Sequence, residues 1–227
     1  MTTTPVTLHI DFVSDVACPW CAVGLNALER AIERIGPDID VQVRMQPFEL
    51  NPTMPAEGAD AKQYLQSKYG MSDEQLAANR ERIVALGAAA GFAFGPRERV
   101  WNTFDAHRLL AWAGAEGPAG SQRALKHALL QAYHGEGRNP GARDVLLDLA
   151  GRTGLPVARA AEVIDSDAFA ADVREAERFW QDVGIQSVPA TVIERRHLVS
   201  GGHPSETFEQ VLRQMAAGAA WSGNGAE

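Results

Sequence analysis

The chain has 227 residues, 45% of them hydrophobic and 22% charged, a balance typical of a globular protein that buries its core without disulfide staples. Its 21 basic and 29 acidic residues give a net charge of −8, which argues against a broad nucleic-acid-binding surface, because such surfaces need clustered Lys and Arg. No segment approaches the ~18 uninterrupted apolar residues of a membrane span, and the first residues carry no secretory signal. We therefore expect a cytoplasmic protein whose partners include neither nucleic acid nor membrane.

The first fifty residues have the pattern of a strand, a helix and a second strand. Apolar and polar residues alternate over 6–12 and again over 41–46, as they do in half-buried strands. Between these segments, apolar residues recur at helical spacing from Cys21 to Ile35, and Gly36-Pro37 is a typical helix end. We predict a βαβ unit with the right-handed crossover that such units adopt.

The segment after about Pro55 is rich in Ala, Leu, Glu, Arg and Gln, with interruptions by Gly and Pro, which indicates a series of helices. Ser72 and Gln75 match a capping box at the start of one of them. The predicted helices span residues 61–68, 72–87, 100–113, 121–134, 142–153 and 158–182.

Strand character returns towards the C-terminal end. Residues 190–193 are mostly β-branched, Arg195-Arg196 is predicted to form a turn, and 197–199 form a short partner strand. Apolar positions from Phe208 to Met215 then indicate an amphipathic helix. The order βαβ, helices, ββα predicts an α/β core. We divide the chain into a first core part at 1–55, a helical insertion subdomain at 56–183, and a second core part with the tail at 184–227.

The segment Cys18-Pro19-Trp20-Cys21 opens the first predicted helix. Pro19 suits the first helical position, which places Cys18 at the N-cap, where free backbone N–H groups and the helix dipole favour an anion. A thiolate is the nucleophile in disulfide exchange, so this position activates Cys18. Cys21 lies one turn further along, on the apolar stripe with Leu25, and is predicted to be more buried and to react second.

Two cysteines at this spacing can also bind zinc, form a structural disulfide or stay inert in a core. A zinc site needs about four ligands, and only two Cys are present, so we expect no metal. A structural disulfide closing so short a loop contributes roughly 2 kcal/mol, against about 3 kcal/mol for a fifteen-residue loop. Two inert buried cysteines remain an alternative. We favour thiol–disulfide chemistry, because a CxxC segment in a cytosolic chain is typically catalytic or metal-binding.

Val188-Pro189 stands directly before the late strand, where a proline is compatible with sheet pairing. By itself this pair also fits a simple turn. With the segments named next, the chain resembles the DsbA-like branch of thioredoxin-fold proteins, and within it the cytosolic FrnE type. The segments that carry the resemblance are Ser14-Asp15, Cys18-Pro19-Trp20-Cys21, Pro47-Phe48-Glu49-Leu50-Asn51-Pro52, Asn102-Thr103, Ala106-His107-Arg108-Leu109, Val188-Pro189 and Ser200-Gly201-Gly202.

The resemblance implies an α/β, thioredoxin-like fold with a large all-helical insertion, in which Cys18 is the nucleophile and Cys21 resolves. It also implies a cis proline at Pro189, with Pro19, Trp20 and Val188 as the further supporting residues of the site. The candidate cleft residues are Asp15, Asn102 and His107. For Asp15 a capping role is the alternative, and for His107 a core or surface position. The run Arg97-Glu98-Arg99 is predicted to be a solvated face.

The expected reaction is dithiol–disulfide exchange, as a reductase, isomerase or oxidase, with a thiol- or disulfide-bearing protein or small molecule as partner. No bound organic cofactor is expected, and glutathione is a candidate co-substrate. Related kappa-type glutathione transferases and 2-hydroxychromene-2-carboxylate isomerases typically have Ser where this chain has Cys18. A glutathione-dependent transferase or isomerase acting on an aromatic small molecule is the first alternative, and a thiol-bearing interaction protein the second. The oligomeric state stays open between monomer and homodimer.

Overall fold

The computed structural model describes residues 6–218. In chain order its strands and helices are β1 (Val6–Ser14), α1 (Pro19–Ile35), β2 (Ile39–Pro47), β3 (Ala59–Asp60), α2 (Ala61–Tyr69), α3 (Asp73–Ala90), β4 (Arg99–Val100), α4 (Phe104–Glu116), α5 (Ser121–Leu130), α6 (Arg143–Arg152), α7 (Val157–Ile164), α8 (Ala170–Asp182), β5 (Ala190–Ile193), β6 (His197–Ser200) and α9 (Ser205–Ala216). Within this range, no helix has the length and apolar character of a membrane span.

The main sheet combines strands from both ends of the chain in the order β2-β1-β5-β6. β1 is parallel to β2, and β5 is antiparallel to both β1 and β6, which confirms the predicted βαβ and ββα units. In the register of β1 and β5, Val13 lies opposite Ala190. The end of β1 and the start of β5 therefore lie side by side, which brings the segments before α1 and before β5 to one edge of the sheet.

The sheet is covered on both faces, so β1 is buried as a central strand. On one face Phe12 packs with Leu28 of α1 and Phe208 of α9. On the other face Val13 packs with Trp180 of α8 in a separate apolar cluster. Because both faces are covered, residues 11–14 are all buried and extend the strand beyond the alternating segment that predicted it.

The helices α4 to α7 pack around a second apolar core that contains Trp112, Leu125 and Leu146. The capping box at Ser72 is confirmed, because Ser72 and Gln75 exchange backbone and side-chain hydrogen bonds. The same part of the chain also contains the short antiparallel pair β3–β4, which was not predicted. Division of the chain at residues 55 and 183 stays a prediction.

The prediction of one helix over 158–182 is wrong, because α7 and α8 are separate helices. Phe169, between them, has a left-handed backbone with φ 61°. The buried guanidinium of Arg108 donates to the carbonyl oxygens of Val163, Ser166 and Ala168 in this break. A side chain from α4 thus satisfies carbonyls that have no partner where the helix ends, a tertiary effect that periodicity does not report.

The predicted start of a helix at Val100 is also wrong, because Val100 belongs to β4 and α4 begins at Phe104. Asn102 explains the later start: its Oδ1 accepts a hydrogen bond from the backbone N–H of Phe104 at 2.9 Å. Its Nδ2 donates to the carbonyl of Met54 at 2.9 Å. Asn102 therefore holds the entry into α4 against the segment that follows β2.

Candidate active site

Cys18 caps α1, and Cys21 lies one turn inside the helix, as predicted. The Cys18 backbone is extended, with φ −90° and ψ 114°, and Pro19 occupies the first helical turn. The Cys21 N–H donates to the Cys18 carbonyl at 3.1 Å. Cys18 is 4% exposed, whereas Cys21 is completely buried on the stripe with Leu25. The helix thus presents one thiol at its N-terminus and holds the other inside.

The environment shifts the two thiol pKa values in opposite directions. A hydrogen bond from the Cys21 thiol lowers the pKa of Cys18, against burial, and the backbone N–H groups of Cys21 and Trp20 lower it further. Burial raises the pKa of Cys21 well above its ordinary value, and the hydrogen bond and charge of Cys18 raise it further. Cys18 is therefore the thiol that ionises first, which makes it the better nucleophile.

The loop before β5 lies against Cys18. The Cys18 thiol donates to the Val188 carbonyl at 3.6 Å, and the Val188–Pro189 peptide bond is cis. The Gly201 N–H donates to the Pro189 carbonyl at 2.8 Å and fixes this loop to the end of β6. A Cβ atom on Gly24 would lie only 3.1 Å from Pro189 Cγ, so glycine permits the close approach of α1 and the loop.

Asp15, in the segment before α1, and His107, on α4, meet in the interior, where both are buried. The Asp15 carboxylate accepts hydrogen bonds from the backbone N–H groups of Ala17 and Leu50, at 2.9 and 2.7 Å, and from the Thr103 hydroxyl at 2.8 Å. His107 Nε2 lies 3.4 Å from the same carboxylate. Burial acts to raise the pKa of Asp15, but the hydrogen bond and charge of His107, with the two N–H groups, hold this pKa below its ordinary value.

A cavity of about 990 Å³ opens beside Cys18. Its walls come from the first turn of α1, the segment after β2, the α2–α3 pair and the loop before β5, and Trp20 and Val188 are among its lining residues. The predicted cleft residues Asp15, Asn102 and His107 do not line this cavity. His107 lines a second, smaller cavity between β2 and the helices α4, α5 and α8. Asp15 and Asn102 hydrogen-bond to Leu50 and Met54 in the segment after β2, part of which forms a wall of the first cavity.

Arg97 and His134 also line the cavity although neither was a predicted site residue, and Arg97 corrects a prediction. Arg97 was expected on a solvated face, but its guanidinium donates to the Ala17 carbonyl at 3.2 Å and to the Tyr133 hydroxyl at 3.3 Å. His134 lies in a π-helical turn, Gln131–Gly135, that ends the predicted 121–134 helix, and such turns are frequent at functional sites. Its Nε2–H donates to the Val16 carbonyl at 2.8 Å.

Burial and the charge of Arg97 lower the pKa of His134 to about 3. The imidazole beside the cavity is therefore neutral at physiological pH and supplies neither charge nor a proton to Cys18. No group of three or more His, Cys, Asp or Glu side chains placed to hold a metal ion occurs within the part of the chain that the structure describes.

The model of the DSBA-like thioredoxin domain matches residues 9–213, almost the whole chain. The chain belongs to this family. A probable DsbA oxidoreductase from Streptomyces coelicolor has 32% sequence identity and a TM-score of 0.84, over 97% of this chain and 94% of that one. The uncharacterized protein YwbO of Bacillus subtilis (strain 168) is 27% identical over 214 residues, which cover 91% of this chain and 96% of YwbO.

A further solved structure shares the fold at lower identity. The cytosolic disulfide reductase DsbM from Pseudomonas aeruginosa, solved with GSH, has 20% identity and a TM-score of 0.64, over 93% of this chain and 100% of that one. The thioredoxin-like fold predicted for this DsbA-like chain is thus confirmed.

In this DsbA-like chain, a buried lysine on α5 also belongs to the site. Lys126 is 1% exposed and forms no salt bridge with any residue in 6–218. Burial lowers the pKa of Lys126, while the negative charges of Cys21 and Asp15 act to raise it. The same attraction lowers the pKa of Cys21 against its burial. The sequence contained a signal for Lys126, since Leu129 and Leu130 follow it at helical spacing and place it on an apolar stripe.

We expect Lys126→Met to make the fold more stable and Cys21 less acidic. A buried ammonium without an ion-pair partner costs free energy, so its removal should raise the free energy of unfolding by about 1–3 kcal/mol. The loss of its charge should raise the pKa of Cys21, which iodoacetamide alkylation against pH measures in a Cys18→Ser background. Lys62→Met, at an exposed position on α2, is the control and should change stability by less than about 0.5 kcal/mol. If the pH dependence of Cys21 alkylation were unchanged in Lys126→Met, Lys126 would not belong to the site.

Proposed function

We propose that this protein is a thiol–disulfide oxidoreductase in which Cys18 attacks a disulfide and Cys21 resolves the product. The observation that carries the proposal is the asymmetric pair at the start of α1: Cys18 has a lowered pKa and borders a large cavity, whereas Cys21 is buried behind it with a raised pKa. One reactive thiol and one protected thiol are what two-step disulfide exchange requires.

In the first step the Cys18 thiolate attacks one sulfur of the substrate disulfide. A Cys18–substrate disulfide forms, and the other half of the substrate leaves as a thiolate. In the second step Cys21 loses its proton, attacks the Cys18 sulfur and expels the remaining half. Two electrons pass from the protein dithiol to the substrate, and the two thiol protons end on the two released thiols.

The site couples the two steps through the pKa of Cys21. In the free dithiol, the hydrogen bond and charge of Cys18 contribute to the raised pKa of Cys21. A mixed disulfide at Cys18 carries no charge, so both contributions disappear once the substrate is attached. The buried Cys21 thiol then ionises more easily, with the Lys126 charge nearby, when its attack is needed. Between attacks, its high pKa protects Cys21 from side reactions.

The supporting residues have separate tasks in this proposal. Pro19 starts α1 and places Cys18 at the cap, Trp20 forms a wall of the cavity, and the Val188 carbonyl orients the Cys18 thiol. Pro189 packs on Gly24 and keeps Val188 beside Cys18. Because electrons move directly between sulfurs, the reaction needs no bound organic cofactor. We propose glutathione as the co-substrate that restores the dithiol, and the cytoplasm as the compartment that supplies it.

Equilibration of the protein with reduced and oxidised glutathione tests this function. We expect the cysteines to cycle between dithiol and disulfide, with a potential between those of DsbA (about −120 mV) and thioredoxin (about −270 mV), nearer the latter. The reason is that Trp20, between the cysteines, contributes only a neutral indole to thiolate stabilisation. A reduction potential at or above that of DsbA would contradict this expected range.

A cysteine pair that never forms a disulfide would overturn the proposed function and favour a thiol-bearing interaction protein. Glutathione conjugation or isomerisation that survives Cys21→Ser would favour the transferase or isomerase alternative.

A further inference from the structure

The cavity beside Cys18 has the size of a small-molecule site. Its volume of about 990 Å³ lies at the upper end of the roughly 300–1,000 Å³ typical of ligand pockets. α2 and α3 contribute much of the lining, from Ala61 to Ile83, and Cys18 and Val188 border the same space. A substrate that enters it can reach the Cys18 sulfur while the rest of its body lies against the two helices.

The lining is largely apolar and contains several rings. Tyr69, on α2, is 53% exposed, so its ring is accessible to a ligand in the cavity. Leu76 on α3 and Phe94 are only partly buried and line the same cavity. The apolar and aromatic lining residues include Trp20, Phe48, Tyr64, Tyr69, Ile83 and Phe94. These side chains favour a substrate with an apolar, preferably aromatic, body.

The two acidic side chains that line the cavity have basic partners. Glu49 shares Arg174 with Glu177, and Asp73 forms an ion pair with Lys62 at 2.7 Å. The neighbouring imidazole, His134, is uncharged at physiological pH because its pKa is about 3. Among the described lining residues, two carboxylates are therefore outnumbered by four cations, Lys62, Lys68, Arg80 and Arg97.

Three cations of the cavity remain without a carboxylate partner in residues 6–218: Lys68, Arg80 and Arg97. Each donates only to uncharged groups. Lys68 Nζ donates to the Leu50 carbonyl at 2.8 Å and Asn51 Oδ1 at 2.6 Å, and Arg80 donates to a backbone carbonyl at 2.7 Å. Lys68 Nζ also lies 5.5 Å from the Tyr69 ring centroid, so a positive charge and an aromatic ring lie next to each other in the same wall of the cavity. In a chain of net charge −8, this cavity carries a local positive excess.

We propose that the cavity selects small disulfides that carry a carboxylate on an apolar, aromatic body, in preference to protein disulfides. The inference rests on the proposed function, since Cys18 must attack the disulfide that the cavity holds. Lys68 and Arg80 attract the carboxylate, the apolar wall covers the ring, and the disulfide lies at the Cys18 end. The products are two anionic aromatic thiols and the Cys18–Cys21 disulfide, with two electrons transferred.

The test compares oxidation of the reduced protein by four disulfides. These are the aromatic dianion dithiobis(nitrobenzoate), neutral aromatic dithiodipyridine, anionic aliphatic dithiodipropionate and cationic aliphatic cystamine. Each second-order rate constant is divided by that of the same disulfide with dithiothreitol, which removes differences in intrinsic reactivity. We expect the largest normalised rate for dithiobis(nitrobenzoate), the smallest for cystamine, and a preference for the anion that weakens with added salt.

Variants then assign the selectivity to the cavity. Lys68→Gln and Arg80→Gln should each lower the normalised ratio of dithiobis(nitrobenzoate) to dithiodipyridine about twofold to fivefold, and the double variant about tenfold. Arg213→Gln on α9 removes the same charge outside the cavity and should retain the wild-type ratio. The inference would be overturned, and the proposed function left standing, by an unchanged ratio of the two aromatic disulfides in the double variant. Reduction of insulin faster than of every small disulfide would have the same consequence. A reduced protein that reacts with none of the disulfides, insulin included, would instead refute the proposed function and the inference with it.

Discussion

We expect Cys18→Ser to lose disulfide exchange by about a thousandfold or more, because the thiol that borders the cavity is removed. Cys21→Ser should behave differently: it should still attack substrates but accumulate stable mixed disulfides at Cys18, since the resolving thiol is missing. Insulin reduction measures the loss of turnover, and mass spectrometry of the intact protein measures the trapped adduct. The same trapping on Cys21→Ser captures natural substrates.

Alkylation order provides a control that does not depend on any substrate. At neutral pH, iodoacetamide should modify Cys18 before Cys21, because Cys18 has the lower pKa and borders the cavity while Cys21 is buried. Both Ser variants should keep the free energy of unfolding close to that of the reduced wild type. If Cys21 reacted first, the roles of the two thiols would have to be exchanged.

The second large effect is expected on stability, from Asp15→Ala. The Asp15 carboxylate satisfies two buried backbone N–H groups, of Ala17 and Leu50, and the hydroxyl of Thr103. Its removal leaves these donors and His107 without their partner, which should lower the free energy of unfolding by about 3–5 kcal/mol. Urea unfolding of the reduced protein at pH 7 measures this difference. A loss below about 1 kcal/mol would contradict the structural role of the carboxylate.

Asp15→Asn is the matched control, because its amide retains one oxygen acceptor and the size of the side chain. Its cost should be smaller than that of Asp15→Ala, and it should depend on pH. The folded pKa of Asp15 lies below the unfolded value of about 3.9, so the charged form stabilises the fold above that pH. This stability is lost as pH falls through the folded pKa. The difference between wild type and Asp15→Asn should therefore be constant above about pH 5 and shrink below about pH 4.

Much of the core and the reactive pair could be predicted because the relevant signals are local. Alternating residues predict β1, helical spacing predicts α1, and the cap position of Cys18 depends only on its neighbours Pro19 and Cys21. The order of these elements then identified the βαβ and ββα units. Element boundaries were less accurate, because the 158–182 helix breaks where a distant side chain, Arg108, binds its carbonyls.

The surroundings of the cysteines were decided by contacts between residues far apart in the chain. Thr103 is 88 residues from Asp15, and Arg97 is 80 residues from Ala17, yet each pair is joined by a hydrogen bond. No local pattern distinguishes Arg97 from a solvated arginine.

By itself, therefore, the sequence determined the elements of the sheet, the cap position of Cys18 and the burial of Cys21, since spacing within one helix or strand decides them. Only the tertiary structure decided that the charges of Asp15 and Lys126 act on the thiols and that the cavity beside Cys18 carries a positive excess. Burial and the pairing of charges depend on which distant surfaces meet, and the free energy of the whole fold selects those surfaces.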